Sequence, residues 1–420
     1  MDGSAALWLT TAIFTATYAG LALGKVPGLR VDRAGIALVG ATLMLVTGLL
    51  TLDEATAQDS IDYKTLVLLF GMMVVVGFLR LSGVFAWLTG VALSRIRSPH
   101  GLLAVTTLLS GVLSAFLIND VVCVALTPLV LHLARRLRCD PVPHLIALAT
   151  AANIGSTGTI TGNPQNIYIG SHSGISYLRF AARLMPVAAL GLGVNFLVVA
   201  LVCRGRLRFT APPQDSPAPG GRRPARAAQV WLRWKSVAVT VVAVVLFFTP
   251  LPLELVALGA AAVLLLGRVK PEKVYRQIDW GLLVMFAGLF VVVHAFRMHV
   301  VSRWGIEGWG WLLGRPVDLL SLVSAALSNV VSNVPAVLLL EPILGAVPAA
   351  NRETAWLALA MSSTLAGNLT VLGSVANLIV VENARREGVT VSFWDYARIG
   401  VPVTVLTLAL GIGWLLFVPY

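Results

Sequence analysis

Two stretches of this chain carry amide, hydroxyl and glycine residues at a density suited to holding a small polar solute. The first, residues 154–166, contains Thr157, Thr159, Gly162, Asn163, Gln165 and Asn166 around Pro164. The second, residues 362–377, contains Asn368, Thr370, Gly373, Ser374 and Asn377. Glycine and proline release backbone from helix, while the side chains offer neutral donors and acceptors. Unwound backbone with half-helix ends facing one cavity can coordinate a small oxyanion, a polyhydroxyl solute or a cation. A kink with satisfied Ser and Thr is the bland alternative, and it would not require so many amides.

Two further clusters read as hairpin tips, Ile118-Asn119-Asp120-Val121 and Ser328-Asn329-Val330-Val331-Ser332-Asn333-Val334-Pro335. Ionisable groups in apolar surroundings are functional candidates by default. Asp120 lies at the first tip and Glu341 on the return arm of the second, opposite Thr127, with no Lys or Arg in either tip or either interruption. A carboxylate buried without a cationic partner suits proton loading, so Asp120 and Glu341 are the expected proton-coupling residues. Isolated His132 and His294 read as packing residues. Cys123, Cys139 and Cys203 have no metal-ligand spacing and no paired base, so no metal site, structural disulfide or catalytic residue is expected.

The elements that must position these groups are membrane helices. Hydrophobic residues make up 57% of the 420 residues and charged ones 12%, about half the charge of a soluble domain; mean hydropathy is +0.86. Spans are expected over residues 5–23, 34–52, 65–81, 185–203, 237–248, 253–266, 282–296 and 399–418. The four residues Met1-Asp2-Gly3-Ser4 lack a basic region and a cleavage site, so the first apolar run is expected to be retained. The net charge of +12 raises a nucleic-acid partner, but the basic residues lie in loops. All except Lys64, Arg179, Arg183, Arg297, Arg303, Arg315 and Arg352 fall on one side, which the positive-inside rule makes cytoplasmic, with both termini outside. Tryptophans including Trp8, Trp231, Trp280, Trp304, Trp309, Trp311 and Trp414 read as interfacial anchors.

Self-comparison divides the chain. Asp62, Gly71 and Arg80 match Asp279, Gly288 and Arg297 at an offset of 217; Ser114, Asn119 and Pro128 match Ser328, Asn333 and Pro342 at 214; Thr159, Gly162 and Asn166 match Thr370, Gly373 and Asn377 at 211. The expected units are a first transporter repeat over 1–203, a cytoplasmic basic Pro/Gly-rich linker over 204–235, and a second repeat over 236–420. Each half has an odd number of crossings, so the second is inverted. The expected fold is an all-α polytopic membrane protein of two inverted-topology repeats, each with a re-entrant helical hairpin and an interrupted transmembrane helix. Re-entry follows from the arm over residues 317–327, too short to cross, and by symmetry for the first tip; two full spans with a short turn have the same parity.

These residues resemble the ion transporter superfamily, within it the arsenite and silicon efflux branch. The resemblance rests on Asn119-Asp120 with Leu126-Thr127-Pro128, on Gly162-Asn163-Pro164-Gln165-Asn166, on Ser328-Asn329 with Ser332-Asn333-Val334-Pro335, and on Ala366-Gly367-Asn368-Leu369 with Gly373-Ser374-Val375-Ala376-Asn377. The Ser-Asn-Thr tips typical of dicarboxylate carriers are absent. The resemblance implies a secondary active transporter exporting a small oxyacid or oxyanion, arsenite or silicic acid in type, by proton antiport. A sodium/proton antiporter and a sodium-coupled carboxylate symporter are the alternatives, and an enzyme is not expected. The expected binding residues are the polar members of the four segments named above. No cofactor is expected; the coupling ion is H+, with Na+ as the alternative. Expected partners are a small inorganic oxyacid or anion as cargo and membrane lipid, with a homodimer left open and nucleic acid excluded. The expected location is the cell (inner) membrane.

Overall fold

Unbroken apolar stretches become long helices, and the polar stretches become the breaks between them. The computed structural model describes residues 3–24, 30–209, 227–303 and 315–418. Lys25, most of the linker (residues 210–226) and Trp304, Trp309 and Trp311 lie outside the described residues.

The first half runs α1 (Gly3–Leu23), α2 (Arg33–Val46), a five-residue α3 (Leu52–Thr56), α4 (Tyr63–Leu81), α5 (Val84–Arg95), α6 (Pro99–Phe116), α7 (Asn119–Arg136), α8 (Val142–Ser156), α9 (Pro164–His172) and α10 (Tyr177–Val202). The second runs α11 (Ala227–Phe247), α12 (Leu253–Leu265), a five-residue α13 (Pro271–Tyr275), α14 (Trp280–His299), α15 (Asp318–Val331), α16 (Asn333–Gly345), α17 (Ala349–Ala366), α18 (Val375–Arg386) and α19 (Phe393–Phe417). Among the described residues, seven helices are long and apolar enough to cross a membrane, α1, α4, α10 and α19 among them. The protein is therefore an all-α, multi-pass membrane protein. Among the described residues the only β feature is an isolated bridge between Cys139 and Phe209.

Equivalent boundaries carry equivalent caps. Asp62 accepts the Lys64 and Thr65 amides at the start of α4, and Asp279 accepts the Leu282 amide at the start of α14, which satisfies donors that a helix start leaves free. The halves then exchange partners. α2 packs on α14 while α12 packs on α4, and α7 packs on α18 while α16 packs on α9. Glycine makes the first exchange possible. A Cβ on Gly71 would meet the Ala257 backbone at 2.8 Å, and one on Gly288 would meet the Ala37 backbone at 2.8 Å.

Some boundaries differ from expectation. Residues 154–156 and 362–366 are helical, because hydroxyls such as Ser362 bond the carbonyl one turn back (Ala358 O, 2.6 Å) and leave the helix intact. The breaks begin at Thr157 and Gly367. Helix α11 takes in residues 227–235, and α10 and α19 start well before the apolar runs that announce them. α15 has 14 residues, about 21 Å of helix, still short of a crossing, whereas α6 has 18.

Adding one methyl at either glycine contact should force a crossing apart, at about 1–3 kcal/mol. Gly71→Ala and Gly288→Ala are expected to lower the melting temperature of the detergent-solubilised protein, while Gly413→Ala, which faces open space, leaves it unchanged. Equal melting temperatures for all three would contradict this packing.

Candidate site at the helix breaks

Breaking α8 from α9 and α17 from α18 releases backbone carbonyls inside the protein, where each needs a donor. One asparagine in each half supplies it. Asn166 Nδ2 donates to Ser156 O (3.1 Å) and Thr159 O (2.9 Å), and Asn377 Nδ2 donates to Gly367 O (2.7 Å) and Thr370 O (3.0 Å). The backbone follows the same path in both breaks: Thr159 and Thr370 are extended, a single 3-10 turn ends at Gly162 or Gly373, and Asn163 or Ser374 caps the next helix. A Cβ on Gly162 would lie 2.3 Å from Ser156 O, and one on Gly373 2.9 Å from Gly367 O, so both turns need glycine.

The last turn of each preceding helix reaches into the other half. Asn153 of α8 donates to Asn368 Oδ1 (2.9 Å) and Asn377 Oδ1 (3.1 Å) and accepts from Ser374 Oγ (3.2 Å). Its counterpart Thr364 of α17 accepts from Asn163 Nδ2 (3.2 Å) and Gln165 Nε2 (3.1 Å). The Ser374–Asn153 and Asn163–Thr364 contacts correspond at the offset of 211.

The amide chain also fixes which atoms are left without a protein partner. Asn377 must aim Nδ2 at two carbonyls, so its Oδ1 meets the Asn153 amide; Asn153 then presents Oδ1 to Asn119 Nδ2 (2.9 Å). Asn119 Oδ1 is thereby turned away and has no protein partner; Asn333 Oδ1 at the equivalent position has none either, and the pair Ser114 Oγ and Ser328 Oγ repeats the pattern. Buried acceptors without donors are costly unless a ligand completes them.

Asn119 and Asn333 each open a helix, α7 and α16, whose start has no side-chain cap. Their first backbone N–H groups thus receive no side-chain cap at the positive end of a helix. Ser332, which precedes α16, is held at φ 77°, a left-handed conformation unusual for a residue with a side chain. These starts and those of α9 and α18 converge on a cavity of about 60 Å³ lined by Asn119, Asp120, Pro164, Gln165, Ser332, Asn333 and Ser374. A vestibule of about 420 Å³ adjoins it, lined by Asp32, Arg33, Asp120, Asp279, Leu282, Leu372, Val375 and Leu378. Asp120 and Arg33 line both.

The sequence-derived candidates thus separate into roles. Asn119, Asp120, Gln165, Ser332, Asn333 and Ser374 line the cavity. Asn163, Asn166, Asn368 and Asn377, with Gly162, Gly373 and the Thr370 carbonyl, hold the breaks in shape. Thr157 and Thr159 donate to Asn153 O and Ala115 O, and Asn329 Nδ2 spans Ala325 O and Ala366 O. Glu341, expected to lack a cation, lies 3.3 Å from Arg297 Nη1 and lines neither cavity. Asn153 and Arg33 were not among the expected residues. An amide in an apolar helix, 211 positions before Thr364, was the available signal for the first. Outside the spans, burial pushes the Cys139 thiol up to about 11 and shifts Cys203 the same way, so neither is a reactive thiolate at neutral pH.

A family model described as citrate transporter matches residues 7–364. The silicon efflux transporter LSI3 of Oryza sativa subsp. japonica is 32% identical, covering 92% of this chain and 93% of its own length. The putative transporter arsB of Dictyostelium discoideum is 24% identical, covering 91% and 87%. Among solved structures, the YdaH transporter of Alcanivorax borkumensis, described as having an unusual topology, matches with a TM-score of 0.59 at 16% identity, over 99% of this chain and 96% of that one. The resemblance to arsenite and silicon efflux proteins read from the motifs is borne out.

Removing the Asn166 amide deletes two hydrogen bonds to freed carbonyls and removing the Asn377 amide deletes three hydrogen bonds, on the order of 2–3 kcal/mol. Asn166→Ala and Asn377→Ala should therefore lower the melting temperature by several degrees, and Asn333→Ala, whose amide oxygen has no protein partner, by little. Thermal unfolding in detergent checks this; equal losses in all three would reject the division of roles.

Proposed function

The chain belongs to the citrate transporter (CitMHS) family, and on that premise we propose a secondary active exporter of a small oxyacid, arsenite or silicic acid in type, exchanging its cargo for protons. The observation that carries the cargo class is that one cavity is lined by two helix starts without side-chain caps and by Asn119 and Asn333, whose amide oxygens have no protein partner. An oxyanion without protons has nothing to give those oxygens. A cation would face the positive ends of the helices. A neutral hydroxyacid both donates and accepts, so it satisfies both sets.

The vestibule supports the same choice. Its carboxylates Asp32, Asp120 and Asp279 outnumber the guanidinium of Arg33, a balance that repels a polycarboxylate. The family's description nevertheless makes a sodium-coupled carboxylate symporter the rival reading, and a sodium/proton antiporter working through Asp120 stands beside it.

Proton exchange rests on Asp120, at the junction of cavity and vestibule. Carrying a bare carboxylate through a low-dielectric closure is costly, so its charge must change or be matched during the cycle. Arg33 provides a counter-charge at the same junction. The two halves are read as inverted repeats joined by the basic linker, on the strength of their exchanged helix contacts and reciprocal hydrogen bonds. The charge asymmetry supports an orientation with the Arg33 and Asp279 vestibule on the cytoplasmic side and both termini outside, and the proposed location is the cell (inner) membrane. No catalytic step is part of this reading.

Counterflow in proteoliposomes under an imposed proton gradient tests it. Arsenite or silicic acid flux should follow the gradient, and citrate flux should be absent. Asp120→Asn keeps the shape but cannot titrate, so it should abolish proton-driven flux and spare cargo exchange. Full proton-driven flux in that variant would overturn the coupling assignment, and sodium-dependent citrate uptake would overturn the cargo.

A further inference from the structure

The two sides of the molecule differ at equivalent residues. Around the open vestibule, Leu372 is 64% and Val375 37% exposed, and Asp279 is exposed. Their counterparts across the repeat, Thr161, Pro164 and Asp62, are closed in: Thr161 is 0% exposed, Pro164 is buried, and the Asp62 side chain is 10% exposed. Met285 and Leu282 line the vestibule, whereas their counterparts Leu68 and Thr65 are 3% and 0% exposed.

A specific contact accompanies the closure. The Asp62 carboxylate at the start of α4 accepts hydrogen bonds from Thr65 Oγ1 and from Ser171 Oγ in the last turn of α9. His172 Nδ1 lies 3.4 Å from the same carboxylate, and Ser171 and Thr65 hydroxyls lie 3.0 Å apart. The Tyr168 ring lies against His172, tilted by 34° with centroids 4.1 Å apart, and meets Phe290 of α14 at 5.7 Å. On the vestibule side the counterparts of Ser171 and His172 are Glu382 and Asn383. Glu382 is bound to Arg385 and Arg386 of its own helix, so α18 and α14 are not joined in this way. The Arg297–Glu341 ion pair has no analogue either, since Thr127 stands where Glu341 would and donates to Cys123 O (2.7 Å).

We infer that a second vestibule, lined by Thr65, Leu68, Thr161 and Ile167, lies closed on the Asp62 side, and that the Asp62–Ser171–His172 contact is the latch that keeps it closed. Helix α9 has nine residues, about 13 Å, with Gln165 in the cavity at one end and Ser171 in the latch at the other. Rearrangement around the cargo therefore bears directly on the latch. Opening of the closed side releases Ser171 and His172 from Asp62 and exposes α4 residues that the structure buries.

The inference rests on the proposed alternating transporter, but its test needs no cargo. With Cys123, Cys139 and Cys203 replaced by Ala, a membrane-impermeant maleimide is applied from each side to Leu68→Cys or Met285→Cys. The latched protein should label at Met285→Cys from the vestibule side and resist labelling at Leu68→Cys. Adding Ser171→Ala, which leaves the Asp62 cap of α4 intact, should raise Leu68→Cys labelling from the opposite side about tenfold and lower that of Met285→Cys. Asp62→Asn should do the same more weakly. Labelling of Leu68→Cys that is unchanged by Ser171→Ala, or that rises without a fall at Met285→Cys, would overturn the latch. A reciprocal change in labelling without oxyacid flux would instead count against the cargo assignment alone.

Discussion

The polar centre of this protein is organised around carbonyl groups that two broken helices release inside a membrane bundle. In hydrocarbon such groups cannot turn to water, so the breaks exist only because other protein atoms complete them. Asn166 and Asn377 do so with the same two bonds at the same spacing. Once Asn377 is committed to Gly367 O and Thr370 O, the orientations of Asn153 and Asn119 follow in turn, and Asn119 Oδ1 is left without a protein partner. The proposed cargo preference thus follows from how the backbone is satisfied.

The same constraint explains the exchange of contacts between halves. A break that is completed partly by the other half, through Asn153 and Thr364, cannot form until both halves have come together. The close approaches at Gly71 and Gly288 bring α4 and α14 against the opposite half's α12 and α2, and the breaks lie at the centre of what they enclose. The differences between halves are where function enters. Asp120 has Val334 as its counterpart, so one tip carries an ionisable group and the other does not.

Much of this was legible in the sequence because helix breaks in a membrane need glycine, amide and hydroxyl residues, which stand out against apolar surroundings. The matching offsets located equivalent positions, and Asn119, Gln165, Asn333 and Ser374 do line one cavity. What was not legible depends on direction. Spacing cannot say whether Asn163 and Asn377 aim at a cargo or at the backbone, and here they aim at protein. It also cannot say that Arg33, 87 positions before Asp120, lines the same space. Glu341 looked uncompensated in its own segment because Arg297 comes from another helix. The latch at Asp62 was invisible for the same reason: Ser171 and His172 have unremarkable neighbours in sequence and acquire their partner only through the fold.

The central claim is that an acceptor pair and two uncapped helix starts together select a neutral hydroxyacid. Calorimetric titration of the purified protein with silicic acid, arsenite and citrate near neutral pH tests it most directly. The account predicts saturable binding of at least one of the two hydroxyacids, lost in Asn119→Ala and Asn333→Ala, and no displacement by citrate. Tight citrate binding that excludes both hydroxyacids and survives those substitutions would contradict it.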